Sequence, residues 1–95
     1  MAGEGKVDVE ILYCVPSGHL GLVAWMVNEF YAEGGTEVGL TLTPGTQGVL
    51  QVYVNGQSIY DKHGEHDELP TPVRVQQMRQ VVREQLHRTS KEGSL

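Results

Sequence analysis

Asn55-Gly56 separates two short segments that can only be strands. Before it, Leu50, Val52 and Val54 alternate with Gln51 and Tyr53; after it, Gln57 to Asp61 provides a return segment of matching length. Asn-Gly accepts the positive φ angles of a type I′ turn, whose twist matches that of two paired antiparallel strands. Alternation on such a turn predicts a hairpin with one face buried. The same period recurs at Val7, Val9 and Ile11, which alternate with Asp8 and Glu10, and at Val38, Leu40 and Leu42, which alternate with Glu37, Gly39 and Thr41.

Two helices complete the pattern. Gly18 to about Glu33 carries Leu20, Val23, Ala24, Val27, Phe30 and Tyr31 at three- and four-residue spacing and stops at Gly34-Gly35. Thr71-Pro72 opens the second helix, with proline in its first turn and Val75, Met78, Val82 and Leu86 as its stripe. The order is therefore β-α-β-β-β-α, with "TPGTQG" (43–48) and "DKHGEHDE" (61–68) as loops. A helix between the first two strands allows them to lie parallel through a right-handed crossover. Clean alternation argues against a sheet covered on both faces. The expectation is an α+β two-layer sandwich: a four-stranded mixed sheet in the order 4-3-1-2, strand three antiparallel to the rest, and both helices on one face.

The chain of 95 residues is read as one domain, 1–95, with 1–5 and 88–95 as flexible ends. Its charge is acidic, 7 Lys+Arg against 12 Asp+Glu, and has no basic cluster, which argues against electrostatic nucleic-acid binding. The longest apolar run, Leu22 to Val27, is too short to span a bilayer, and no leader pattern opens the chain. The single cysteine precludes an internal disulfide and suits a reducing compartment, so the sequence reads as cytoplasmic.

That cysteine, Cys14, stands where the first strand gives way to the first helix, with Ser17 three residues on. This is the place and spacing of a two-thiol redox motif lacking its second thiol. Ser17 suits the N-cap of helix one, and backbone donors at the helix start would favour a thiolate. On that basis Cys14 is expected to be partly exposed, near those donors and Ser17, with a pKa below the free value of about 8.5; His19 lies close enough in sequence to assist. Full burial, or a pKa at or above the free value, would defeat the catalytic reading and promote an interaction module. The spacing alone leaves an inert strand-end cysteine equally open.

The stretches "VEILYCVPSGH" and "PGTQGVLQVYVNGQSIYDK" resemble the selenoprotein W-like (Rdx) family, whose pattern is C-x-x-C or C-x-x-selenocysteine at the end of a first strand. A Pro-Gly-x-x-Gly loop and a strand-turn-strand block ending in lysine follow in that pattern. Here these are Cys14 to Ser17, Pro44 to Gly48 and Val52 to Lys62, and the resemblance covers about residues 7–87. It implies a thioredoxin-like fold and a thiol redox role. Ser17 stands at the second redox position, so the resemblance implies a monothiol. Cys14 would be the nucleophile and Ser17 its hydrogen-bonding neighbour, forming mixed disulfides with glutathione as co-substrate or with a thiol protein. No resident cofactor is implied. Thioredoxin-like folds usually set a cis-proline beside the cysteine. No proline directly precedes Val49, so Val15, Pro16, Gln47, Gly48 and Val49 are the expected substrate-binding residues, the last three as a proline-free wall.

The rival reading is a non-catalytic interaction module on a degenerate thioredoxin-like fold. Leu22, Trp25 and Met26 fall on the expected outer side of helix one and would contact a protein partner or a second copy of the chain. His63 and His66, beside Glu65, Asp67 and Glu68, lack a third convergent ligand, so no metal site is assigned. Ser17 and His19 lack an acidic partner for a hydrolase, and the glycines of "PGTQG" do not match a phosphate loop.

Overall fold

A computed structural model describes the backbone of residues 7–93 and the side chains of residues 7–88. The expected flexible segment 1–5 lies outside the described residues. Strands β1 (Val7–Cys14), β2 (Val38–Gly45), β3 (Leu50–Val54) and β4 (Gln57–Asp61) form one sheet in the order β2-β1-β3-β4. β1 runs parallel to β2 and antiparallel to β3, and β3 is antiparallel to β4. Asn55 and Gly56 turn the hairpin with φ of 51° and 82°, both in the left-handed region that a type I′ turn needs. The Asn55 side chain also accepts from the Asp8 N–H at 2.9 Å, tying the turn to the start of β1.

Helices α1 (Leu20–Gly34) and α2 (Pro72–Gly93) lie on the same face of the sheet. Val7, Val9 and Ile11 of β1 and Leu50, Val52 and Val54 of β3 form one buried cluster with Val23, Met26 and Phe30 of α1 and Val75, Met78 and Val82 of α2. Asp8 and Glu10 alternate out to solvent on the other face. The helices are also clamped to each other. Glu33, at 8 % side-chain exposure, accepts from Arg79 Nε at 2.9 Å and from Arg83 Nε at 2.6 Å; Glu29 takes Arg79 Nη1 at 2.7 Å. The Arg83 hydrogen bond, opposed by burial and reinforced by Arg79, holds the Glu33 carboxyl below its ordinary range.

Three local expectations need correction. β2 runs on through Thr43, Pro44 and Gly45, which the sequence reading assigned to a loop. Proline cannot donate to a ladder, but β2 is an edge strand and has an open side for it. Backbone helix continues from residue 88 to Gly93, where a flexible tail was expected. The third correction is the rotation of α1. Met26 is fully buried, whereas Leu20 and Tyr31 are 55 % and 52 % exposed. The helix therefore buries the Val23, Met26, Phe30 stripe, not the stripe that includes Leu20, Ala24 and Tyr31. Exposed and buried stripes differ in the cost of truncation: Met26→Ala should lose about 2–5 kcal/mol, and Leu20→Ala within about 0.5 kcal/mol. Denaturant unfolding of the two variants checks this.

Candidate functional site

Cys14 is the last residue of the central strand, paired with Gly45 of β2. Strand alternation sets it with Asp8, Glu10 and Leu12, on the face opposite the helices, and it is outside the hydrophobic core cluster. A turn over residues 15–19 then leads into α1, closed by a Gly18 N–H bond to the Val15 carbonyl at 3.0 Å, with Gly18 at φ 76°. The Ser17 hydroxyl donates to Cys14 Sγ at 2.8 Å. That is the one hydrogen bond to the sulfur among the described residues, and the backbone N–H groups of Gly48, Ser17 and Val49 also act to lower the thiol pKa. Donors stabilise a thiolate more than a thiol. The Ser17 hydroxyl is the largest influence; burial opposes it and the three N–H groups reinforce it, leaving the Cys14 pKa lowered.

The lowered pKa follows the sequence expectation, but its source is different. Ser17 is not the N-cap of α1: the helix begins at Leu20, His19 is the capping residue, and no side chain bonds there. The Ser17 hydroxyl is spent on the sulfur. Half the donor set comes instead from the β2–β3 loop. Gly48 holds φ 72° and Gln47 φ 60°, both in the left-handed region. No peptide bond among the described residues is cis.

Partial exposure of Cys14 is the expectation that fails. The residue is 2 % exposed. Its cover comes from its own strand and from the β2–β3 loop. A Cβ placed on Gly45 would sit 2.8 Å from Val49 Cγ1 and 3.2 Å from Leu12 Cδ1, so Leu12 and Val49 close over the strand end and leave room only for glycine beside the cysteine. Sequence reasoning missed Leu12 and Gly45. The β1–β2 register, once known, would have named both. It also missed Lys62, whose Nζ lies 3.8 Å from the position a Gly48 Cβ would take, and which pairs with Asp67 at 3.9 Å.

The other expected site residues divide. Val15 (50 % exposed) and Pro16 stand at the surface of the turn, Gln47 is exposed, and Gly48 and Val49 are half-buried against the sulfur. Leu22 packs partly on the core and Trp25 is 36 % exposed; buried Met26 contacts no partner. His19 is buried, its Nδ1 has no hydrogen-bond partner among the described residues, and it is not among the groups shifting Cys14. In the acidic loop, His63 Nδ1 meets Asp67 Oδ1 at 2.6 Å and Glu65 holds Arg74 at 2.8 Å, so these groups serve each other. No group of three or more His, Cys, Asp or Glu side chains converges as a metal site among the described residues.

The Rdx family model matches residues 8–85. The chain belongs to the Rdx family. Among solved structures it is similar to the selenoprotein W-related protein from Vibrio cholerae, at 26% identity and TM-score 0.73, over 84% of this chain and 96% of that one. A Bordetella parapertussis protein matches in fold with TM-score 0.65 and 24% identity, over 85% and 94% of the two chains. No curated protein matches. Membership makes this a thioredoxin-like, thiol-redox-related domain. Among the described residues no helix is long and apolar enough to cross a membrane.

The ranking of donors has a direct consequence. Ser17→Ala should raise the Cys14 pKa, because it removes the largest lowering influence while burial remains. Thiolate ultraviolet absorbance followed against pH should show the midpoint move upward relative to the wild type.

Proposed function

We propose that this Rdx chain is a cytoplasmic monothiol redox protein in which Cys14 forms mixed disulfides with glutathione or a thiol protein. The observation that carries this reading is the convergence of the Ser17 hydroxyl and the N–H groups of Ser17, Gly48 and Val49 on one sulfur. The Cys14 thiolate attacks one sulfur of oxidised glutathione. A bond forms between Cys14 and that sulfur, the glutathione disulfide breaks, and glutathione leaves as thiolate. The same donors that hold the attacking thiolate hold Cys14 as a leaving group when a second, external thiol attacks the adduct. That external thiol is obligatory, because Cys14 is the chain's one cysteine. Ser17 orients the sulfur, and Val15, Pro16 and the Gln47 to Val49 segment form the wall along which an incoming tripeptide or extended backbone lies. Burial sets the order of events: the Ser17 turn and Val49 must part before a disulfide can approach along the S–S axis.

Burial is also the observation that favours the rival, an interaction module that keeps the fold and holds a partner through the Val15–Pro16 turn with Leu22 and Trp25. Thiol chemistry separates the two. In a glutathione redox buffer the wild type should accumulate a one-to-one glutathione adduct that Cys14→Ser abolishes. Ser17→Cys should instead lose two hydrogens and close a disulfide, since the Ser17 oxygen already lies 2.8 Å from the sulfur. Mass spectrometry reads both. An unmodified wild type together with an unoxidised Ser17→Cys variant would assign the protein's work to its surface.

A further inference from the structure

The sheet has two edges, and they are finished differently. On β4 the Ile59 carbonyl accepts from Arg74 at 2.8 Å, and Arg74 is itself fixed by Glu65 and stacked over Tyr60. On β2, among the described residues, only the Val38 N–H has a partner outside the ladder, the Gly35 carbonyl. Alternate residues of a strand turn both backbone groups to the same side. The Val38 bond and the donorless Pro44 therefore mark Val38, Leu40, Leu42 and Pro44 as the outward set. Among the described residues, the N–H and C=O groups of Leu40 and Leu42 have no partner outside the ladder.

The geometry points to a second copy of this chain as the occupant of the β2 edge, paired antiparallel about a two-fold axis at Thr41. In that register Leu40 faces Leu42 of the second copy and exchanges two backbone bonds with it; symmetry repeats the exchange, giving four bonds. The next outward pair is Val38 against Pro44, and neither has a hydrogen to donate, so the ladder ends there of its own accord. A shift of two residues would waste a donor of Leu40 or Leu42 on those groups, and the edge thereby selects its own register. Thr41 meets Thr41 on the open face, a favourable cross-strand pair, while Leu40 and Leu42 meet on the helix face.

Charge and shape agree with self-pairing. No charged residue occurs from Val38 to Gly45, although the chain carries a net charge of -5 and edge strands are commonly guarded by lysine. Two acidic copies meet here without placing like charges opposite each other on the strand. Above it, α1 turns Glu29 and Glu33 toward α2, so its other flank, with exposed Leu20, Ala24 and Tyr31, looks out past β2. Leu42, 42 % exposed, continues that apolar surface onto the strand. Cys14 ends β1 next to Gly45, so pairing at β2 brings the second copy alongside the thiol corner and leaves the sulfur's donors untouched.

Sedimentation velocity of the full chain across a wide concentration range tests the pairing. The weight-average mass should climb toward twice that of one chain, and Leu42→Lys should weaken association by roughly tenfold, equivalent to about 1.4 kcal/mol. The register has its own readout in a Cys14→Ser background. Thr41→Cys puts two thiols across the axis in a pair about 4.5 Å apart at Cα, a span that suits a disulfide. Oxidised glutathione should link this variant into dimers far faster than Ser58→Cys on the other edge. A wild type that stays monomeric, a dimer indifferent to Leu42→Lys, or equal cross-linking at both positions would overturn the proposal.

Discussion

Strand β1 is hydrogen-bonded along both sides, parallel to β2 and antiparallel to β3, and nearly everything else in the molecule is placed by that double pairing. It seats Val7, Val9 and Ile11 beneath the two helices, which creates the core. It also sets the positions of two chain segments that never meet in sequence. Where β1 ends, β2 ends beside it at Gly45 and β3 begins beside Tyr13, so the loop joining β2 to β3 must cross directly over Cys14. The N–H groups of Gly48 and Val49 act on the sulfur because the register leaves that loop nowhere else to go.

The ionisation of Cys14 is set by the C-x-x-S turn and the fold together, with the Ser17 hydroxyl as the largest influence. Ser17 contributes its hydroxyl and one backbone N–H, and the other two backbone contributions come from Gly48 and Val49 of the β2–β3 loop. The Ser17 hydroxyl gives the corner a hydrogen bond to the sulfur at 2.8 Å. The corner that remains is closed, with Leu12 and Val49 over a glycine, and reactivity depends on opening it.

Much of this was legible in the sequence, and the failures have identifiable causes. Alternation along β1, β3 and the start of β2 is one-sided, which disclosed the shared helix face, while the helical crossover and the Asn-Gly hairpin disclosed the pairing sense. Helix α1 misled because apolar residues run around most of its circumference, from Leu20 to Tyr31; its rotation is decided by Glu29 and Glu33 reaching α2's arginines, an interaction some fifty residues away in sequence. Pro44 reads as a strand breaker unless the strand is known to be an edge. The cover on Cys14 was hidden for a related reason: Leu12 lies on the nominally open face, and nothing local predicts that Val49 arrives above it. Ser17 in a capping position looked like a cap because sequence gives no view of a competing acceptor, the sulfur.

The account's central claim is that two segments distant in sequence, the Ser17 turn and the β2–β3 loop, jointly hold one thiolate. Amide proton shifts of Ser17, Gly48 and Val49, followed by NMR across the titration of Cys14, test it most directly. The three amides should move together with a single midpoint that lies below the free cysteine value of about 8.5, and the movement should vanish in Cys14→Ser. If Ser17 alone responds, or if Gly48 and Val49 titrate unchanged in Cys14→Ser, the two loops do not share the sulfur and the account is wrong.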